Sequence, residues 1–431
     1  MPIKETASTP MPIARSRYRP ATRFVTVVAI LGMVSAACAQ DAPAPSYSFR
    51  GFGTLGLVHS SEKQADYTNS PWYKPKGAGH SDDWSPDVDS RLGLQLDAKF
   101  DAEWSAVVQV ISQLRYDNTY LPTLEWANVK YAMTPDASVR LGRIVMSTFL
   151  YSDYRNVGYA VPWVRPPLSV YNLMPVNYND GIDASYRFHL GGATHTVQGF
   201  YGGGSQKSPP DGANNPDTDS WGLFNTFEFG PTTLRLAYQK STLTLNDSIN
   251  SFFNQFRQFG PAGIAIADKY DANKKPTVFW GVSASYDPGP WFLTGEWGHS
   301  DLTPSFMGTQ IAWYVSGGLR AGTITPYAVY ANSRMLSNTS DPGLDLATVP
   351  TYLQGYAAGL NAGLNAFLSP TTGTTISLGA RWDVKRNMAL KLQYDHMALD
   401  PNSYGLLINR QPGYQAGGQV NLINAVLDFV F

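Results

Sequence analysis

Cysteine is almost missing from this sequence. Cys38 stands alone among 431 residues, so neither a disulfide framework nor paired-thiol chemistry is available. Histidine is sparse too: the six residues at 59, 80, 189, 195, 299 and 396 are scattered, with no metal-ligand spacing. Beyond residue 39 no run is apolar enough over the ~20 residues that a membrane helix needs. A phosphate loop is excluded, because Gly202-Gly-Gly-Ser205 lacks the Gly-Lys-Ser/Thr ending and reads as a loop tip. The acidic group Asp82, Asp83, Asp87 and Asp89 fits no EF-hand spacing and reads as a solvated external loop. No metal and no other cofactor is expected. Basic excess is also absent. Five of the 32 basic residues and one of the 33 acidic ones precede residue 40, leaving 27 against 32, a balance that disfavours a nucleic-acid partner.

What precedes residue 40 has its own logic. Lys4, Arg15, Arg17, Arg19 and Arg23 lead into an apolar run over residues 24–37, and Ala37-Cys38-Ala39 gives the small-x-small pattern of a secretory cleavage site. The expected organisation is a signal peptide over 1–39, a Pro/Ala linker over 40–46 and one domain over 47–431.

Aromatic residues are plentiful in that domain, and they fall in alternating segments. The last twelve residues set the pattern. Ile423, Ala425, Leu427, Phe429 and Phe431 occupy one side of an extended strand, opposite Asn424, Val426, Asp428 and Val430. An aromatic at a fraying terminus adds little to a soluble domain; in a bilayer it anchors a strand at the interface. Sixteen such segments are expected, at 47–60, 91–100, 103–115, 123–133, 137–143, 181–188, 195–201, 221–229, 233–243, 276–286, 291–299, 310–319, 323–333, 375–383, 388–397 and 420–431. Tight turns and long loops alternate between them. Phe252, Phe253, Phe256 and Phe259 at helical spacing predict a short helix on the rim of the barrel, and a second is expected at about 352–367.

This pattern predicts an all-β transmembrane antiparallel barrel, closed because hydrocarbon offers no partner to an open sheet edge. One face of the strands carries Leu92, Leu94, Ile182, Tyr186, Leu234, Leu236, Ile376, Leu378, Trp382, Leu390, Leu392 and Tyr394, expected to meet lipid. The other carries Arg91, Gln95, Asp97, Asp183, Arg187, Arg235, Gln239, Thr294, Glu296, Arg381, Asp383, Lys391, Gln393 and Asp395, expected to face a water-filled interior.

Ser138-Val-Arg-Leu-Gly-Arg143, the pair of strands over 376–397 and the Leu427-x-Phe429-x-Phe431 ending resemble general porins of Gram-negative bacteria. The resemblance implies an outer-membrane homotrimer of sixteen-stranded barrels, each narrowed by a third loop folded into the lumen. It also implies that Leu427, Phe429 and Phe431 are read by the barrel assembly machinery. In that family acids on the third loop face arginines across the pore. Here residues 144–179 carry only Asp153, Arg155 and Arg165 as charges, so ion preference does not carry over.

The expected function is passive diffusion of small hydrophilic solutes and ions. Arg91, Arg140, Arg143, Arg381 and Lys391 on the wall would face loop groups such as Asp153 and set up a transverse field; Arg381→Glu would then shift selectivity toward cations. Each Arg has a structural alternative in a stiffening salt bridge, such as Asp183 with Arg187 or Arg381 with Asp383 across strands. Arg155 and Arg165 could serve only to pin the loop. Two other classes stay open: an adhesin or structural anchor, which would have a filled lumen, and a rim-site lipid hydrolase, for which no motif is present. The protein is not expected to be an enzyme.

Overall fold

A computed structural model describes residues 44–431 except 175, 210, 211 and 246. The expected signal peptide, and the linker up to residue 43, lie outside the described residues. One antiparallel sheet of seventeen segments closes on itself. Sixteen form the barrel: β1 (Ser46–Ser60), β2 (Arg91–Lys99), β3 (Trp104–Gln113), β4 (Thr123–Ala132), β5 (Ala137–Val145), β6 (Tyr178–Leu190), β7 (Ala193–Ser208), β8 (Ala213–Phe229), β9 (Thr232–Leu243), β10 (Lys275–Tyr286), β11 (Trp291–Leu302), β12 (Gly308–Leu319), β13 (Ile324–Met335), β14 (Gly373–Lys385), β15 (Met388–Leu399) and β16 (Gly418–Val430). The remaining segment, Trp84–Ser85, pairs beside the upper end of β1.

Closure falls on β1, which pairs with β2 over Ser46 to Thr54 and with β16 over Phe52 to Ser60. Phe431 and Phe429 lie on the outer face over Gly51 and Gly53, where the rings occupy the space that a Cβ would take. Glycine is required there by the rings, and aromatic cover over a backbone slot stiffens the seam. Outward residues meet the expected solvent: Leu141 is 65% exposed and Phe431 59%.

Seven short turns sit at the end that holds both termini; of the eight connections at the other end, seven are longer than these turns and one, between β7 and β8, has four residues. Gly191 and Gly192 form a two-residue turn with both φ positive (59° and 80°), which twists in the sense the flanking strands need. One expectation fails here. Of residues 202–219, read as a loop, 202–208 extend β7 and 213–219 extend β8 into a long ribbon, and Gly202-Gly-Gly-Ser205 lies within β7. Gly202 (φ 157°) adjoins a register shift there, and a bulge of this kind hides the strand period from a sequence reading.

The loops carry α1 (Leu168–Tyr171), α2 (Asp247–Phe256), α3 (Gly260–Tyr270) and α4 (Gln354–Leu368). The helices α2, α3 and α4 pack through Phe253, Phe256, Ala267, Leu360 and Leu364 into an apolar cap at the external end, around the tops of β9 and β11.

Candidate functional site

The third loop, residues 146–177, turns inward and divides the lumen. Along one side it is glued to the wall. Met146, Phe149, Val161, Trp163, Val170, Leu173 and Met174 pack against inward-facing Phe200, Phe224, Phe279, Phe292, Tyr314 and Tyr327. Each fully buried side chain of this size adds about 2–3 kcal/mol. Water therefore does not line the whole inner wall, because this side of the barrel is an apolar core. The loop's Trp163 is 0% exposed and donates its Nε1–H to Ser316 Oγ at 2.7 Å.

Polar wall residues hold the loop backbone. Arg235 donates to the carbonyls of Phe149 (2.6 Å) and Ser147 (3.3 Å). Arg381 donates to those of Tyr159 (2.6 Å) and Val161 (3.2 Å), and Lys391 to those of Gly158 (2.7 Å) and Trp163 (2.8 Å). Glu296, 2% exposed, accepts from Leu150 N–H, the hydroxyls of Tyr171 and Tyr314, and Ser283 Oγ, all within 2.8 Å. Those contacts satisfy a buried carboxylate that would otherwise be costly. Asp395 accepts from Gln393 and Asn424 at 2.7 and 2.8 Å. Arg235, Glu296, Arg381 and Lys391 therefore point inward and anchor the loop, and Asp395 stands 3.6 Å from the loop's Arg165.

The other side stays open. A cavity of about 470 Å³ on the external side is lined by Lys74, Arg91, Arg115, Arg143, Arg155, Arg165 and Lys207 against one acid, Glu125. A second cavity, toward the short-turn end, is lined by Asp97, Lys99, Asp101, Glu103, Lys130 and Arg140, a balanced set. Both run along the inner face of β2, β3 and β4, one beyond the other. Between them Gln109 donates to Gln95 at 2.7 Å. From Arg91 a hydrogen-bond chain crosses to the loop: Arg91 donates to Asn156 at 3.3 Å, and Asn156 donates to Glu125 of β4 at 2.9 Å.

The expected pairings are partly redrawn. Asp183 pairs with Arg140, which donates Nε at 2.9 Å, and not with Arg187. Arg187 sits near the short turn with Asp136 at 3.1 Å. Arg381 does pair with Asp383 at 2.8 Å, but along one strand. Arg143 is bidentate to Asp180 at 2.7 and 2.6 Å, with Tyr178 beneath its guanidinium. Asp153 accepts from Ser147 Oγ at 3.0 Å within its own loop. Arg155 lies against the Asn177 side chain.

Asp89 is the clearest correction. Read as solvated, it is 1% exposed and accepts from Arg165 Nε at 3.0 Å. Burial acts to raise its pKa, but the Arg165 guanidinium outweighs it and the carboxyl ends below its usual range. Asp87 is buried as well. Arg165 also donates to Asn424 at 2.7 Å and to Tyr67 at 3.2 Å, so it ties the first loop, the third loop and β16 together. Sequence reasoning missed Lys74, Arg115, Glu125, Lys207 and Asp428. Glu125 is the extra residue of a bulge in β4, opposite Gln109 and Val110 of β3, and the shift hides its parity; Lys74 belongs to a loop without period.

The profile of the family described as Gram-negative porin matches residues 25–317. No curated protein matches the chain significantly. Among solved structures, OmpF of Salmonella typhi, solved with daunomycin, aligns with TM-score 0.51 at 14% identity, covering 89% of this chain and 97% of that one. The outer-membrane channel DcaP of Acinetobacter baumannii gives 0.52 at 11%, covering 90% and 98%. The anion-selective porin of Comamonas acidovorans gives 0.50 at 12%, covering 90% and 100%. These likenesses are of fold. The chain belongs to the Gram-negative porin family: it is an outer-membrane β-barrel through which small hydrophilic solutes and ions diffuse passively.

Proposed function

We propose that this channel passes anions in preference to cations, through the space between the third loop and β2 to β5. The observation that carries the reading is the lining of the external cavity, seven basic side chains to one acidic. Basic groups come from both sides: Arg155 and Arg165 from the loop, Arg91 and Arg143 from the wall. A family pattern of acids facing arginines would give a transverse field; this arrangement gives a positive potential over the external part of the path. In a low-dielectric cleft such a potential concentrates counter-ions and excludes ions of like charge. Arg91, Gln95, Arg140, Arg143 and Arg155 are proposed to line the passage.

In this reading the protein is not an enzyme, and the passage needs no cofactor. The barrel is proposed to work as a homotrimer embedded in outer-membrane lipid, and its Leu427, Phe429 and Phe431 ending to be recognised by the assembly machinery. Reversal potentials of purified protein in a planar bilayer under a KCl gradient test the preference. Chloride is expected to be the more permeant ion. A potassium preference would overturn the anion reading, and lack of conductance from folded barrels would remove the channel itself.

A further inference from the structure

The cations of the external cavity are held in an unusual way. Arg91, Arg115, Arg143 and Arg165 have carboxylates within salt-bridge distance. Among the described residues Lys74, Arg155 and Lys207 have no carboxylate within salt-bridge distance. Lys74 donates to the backbone carbonyls of Asp87 and Val88, both at 2.8 Å. Arg155 lies against Asn177. Lys207 stands 5.6 Å from the centre of the Tyr116 ring, and the Arg115 guanidinium stands 5.4 Å from the same ring. A protonated cation held on an aromatic face, an amide or carbonyls has no counter-charge beside it, whereas a salt-bridged one is neutralised. Tyr73, Tyr116 and Tyr178 meanwhile give the same cavity flat apolar walls.

We infer that this cavity is a saturable binding site for organic anions that carry a flat aromatic part, of which an aromatic carboxylate is the simplest. The carboxylate meets Arg155, whose planar guanidinium matches its two oxygens. The ring exchanges water for the tyrosine walls, and Lys207 attracts the solute at the entrance. This site rests on the anion-diffusion reading and adds to it a chemical preference that charge alone would not produce.

Current block in a planar bilayer separates the two. Benzoate, hexanoate and benzamide are added on the external side while chloride current is recorded. Benzoate is expected to block at a concentration about fivefold below hexanoate, the aromatic contribution, and benzamide not to block. Arg155→Gln and Lys207→Ala, the latter at an exposed position that does not disturb folding, are each expected to raise the benzoate concentration about tenfold, the loss of one charge-assisted contact. Lys269→Gln, which removes a cation from the outer cap, is expected to change nothing. Equal block by benzoate and hexanoate would overturn the site while leaving anion diffusion standing. So would block that ignores both Arg155→Gln and Lys207→Ala. Folded barrels that pass no chloride would instead sink the channel reading beneath it.

Discussion

Lys391 and Asp428 face each other across the last two strands at 2.9 Å, and both side chains are 0% exposed. The pair lies on the inner wall, where a free charge would be expected to meet water. It is buried because the third loop sits on it: Lys391 spends its other protons on the carbonyls of Gly158 and Trp163, and Thr54 of β1 donates to Asp428 at 2.5 Å. One contact set thus joins barrel closure to the position of the loop that narrows the lumen.

Asp428→Asn leaves Lys391 buried against carbonyls alone. Removal of one partner from a buried ion pair costs about 3–5 kcal/mol, so the urea midpoint of the variant should fall clearly. Lys391→Met should instead free the loop, raising single-channel conductance and its noise. The same geometry revises Arg381→Glu. A carboxylate at that position would oppose two loop carbonyls, and the larger change should be in conductance, not in reversal potential. Unaltered conductance in both variants would show that the loop is held by its apolar packing.

The seam of the barrel makes a separate prediction. Gly53→Val places a branched side chain where the Phe429 ring lies. Overpacking at a tight contact costs about 1–3 kcal/mol, and the cost falls on the strand pair that closes the sheet. The expected result is slower folding and a lower yield of heat-modifiable barrel, with rescue by Phe429→Ala in the same chain. Normal yield for Gly53→Val alone would show that the seam tolerates a displaced ring.

These residues also show what a sequence reading can reach. The alternation of Ile423 to Phe431, and of Leu92 to Leu96, was legible because lipid and lumen impose opposite demands on neighbouring side chains. Strand number followed from it, whereas the inward third loop was implied only by the resemblance to general porins. The apolar patch of Phe200, Phe224, Phe279 and Tyr314 was not legible. A side chain that receives a loop inside the barrel has the same chemistry as one that meets lipid, and only parity distinguishes them. The roles of Arg381 and Lys391 were hidden likewise, since their partners are backbone carbonyls. Asp89 was misread because burial of a loop acid depends on Arg165, 76 residues away.

Asp89 gives an acid-side prediction. Its folded pKa lies below its unfolded value, with burial opposing and Arg165 prevailing. The stability it contributes is present above the unfolded value, near 4, and is lost as pH falls through the folded value. Asp89→Asn removes that contribution at every pH. The variant should therefore unfold at lower urea at pH 7, and the difference from the parent should shrink in strong acid. It should also show extra current fluctuations as the first and third loops part. A constant difference across the acid range would show that Arg165 is satisfied by Asn424 and Asp395 without it.

Lys74 acts on selectivity nearer neutrality. Burial, with Arg91 nearby, pushes its ammonium from 10.5 down to about 7. Below that value the cavity holds the full complement of charge; above it the residue becomes neutral. Raising the pH from 6 to 8.5 should then reduce the chloride preference measured by reversal potential, and Lys74→Met should show the reduced preference at both values. Stability should move the other way. Between about 7 and 10.5 the unfolded chain binds a proton that the folded one has released, so the resistance to unfolding rises with pH over that window. The two slopes come from one group, and Lys74→Met must flatten both. A variant that flattens neither would show that the cavity's charge is titrated by another residue.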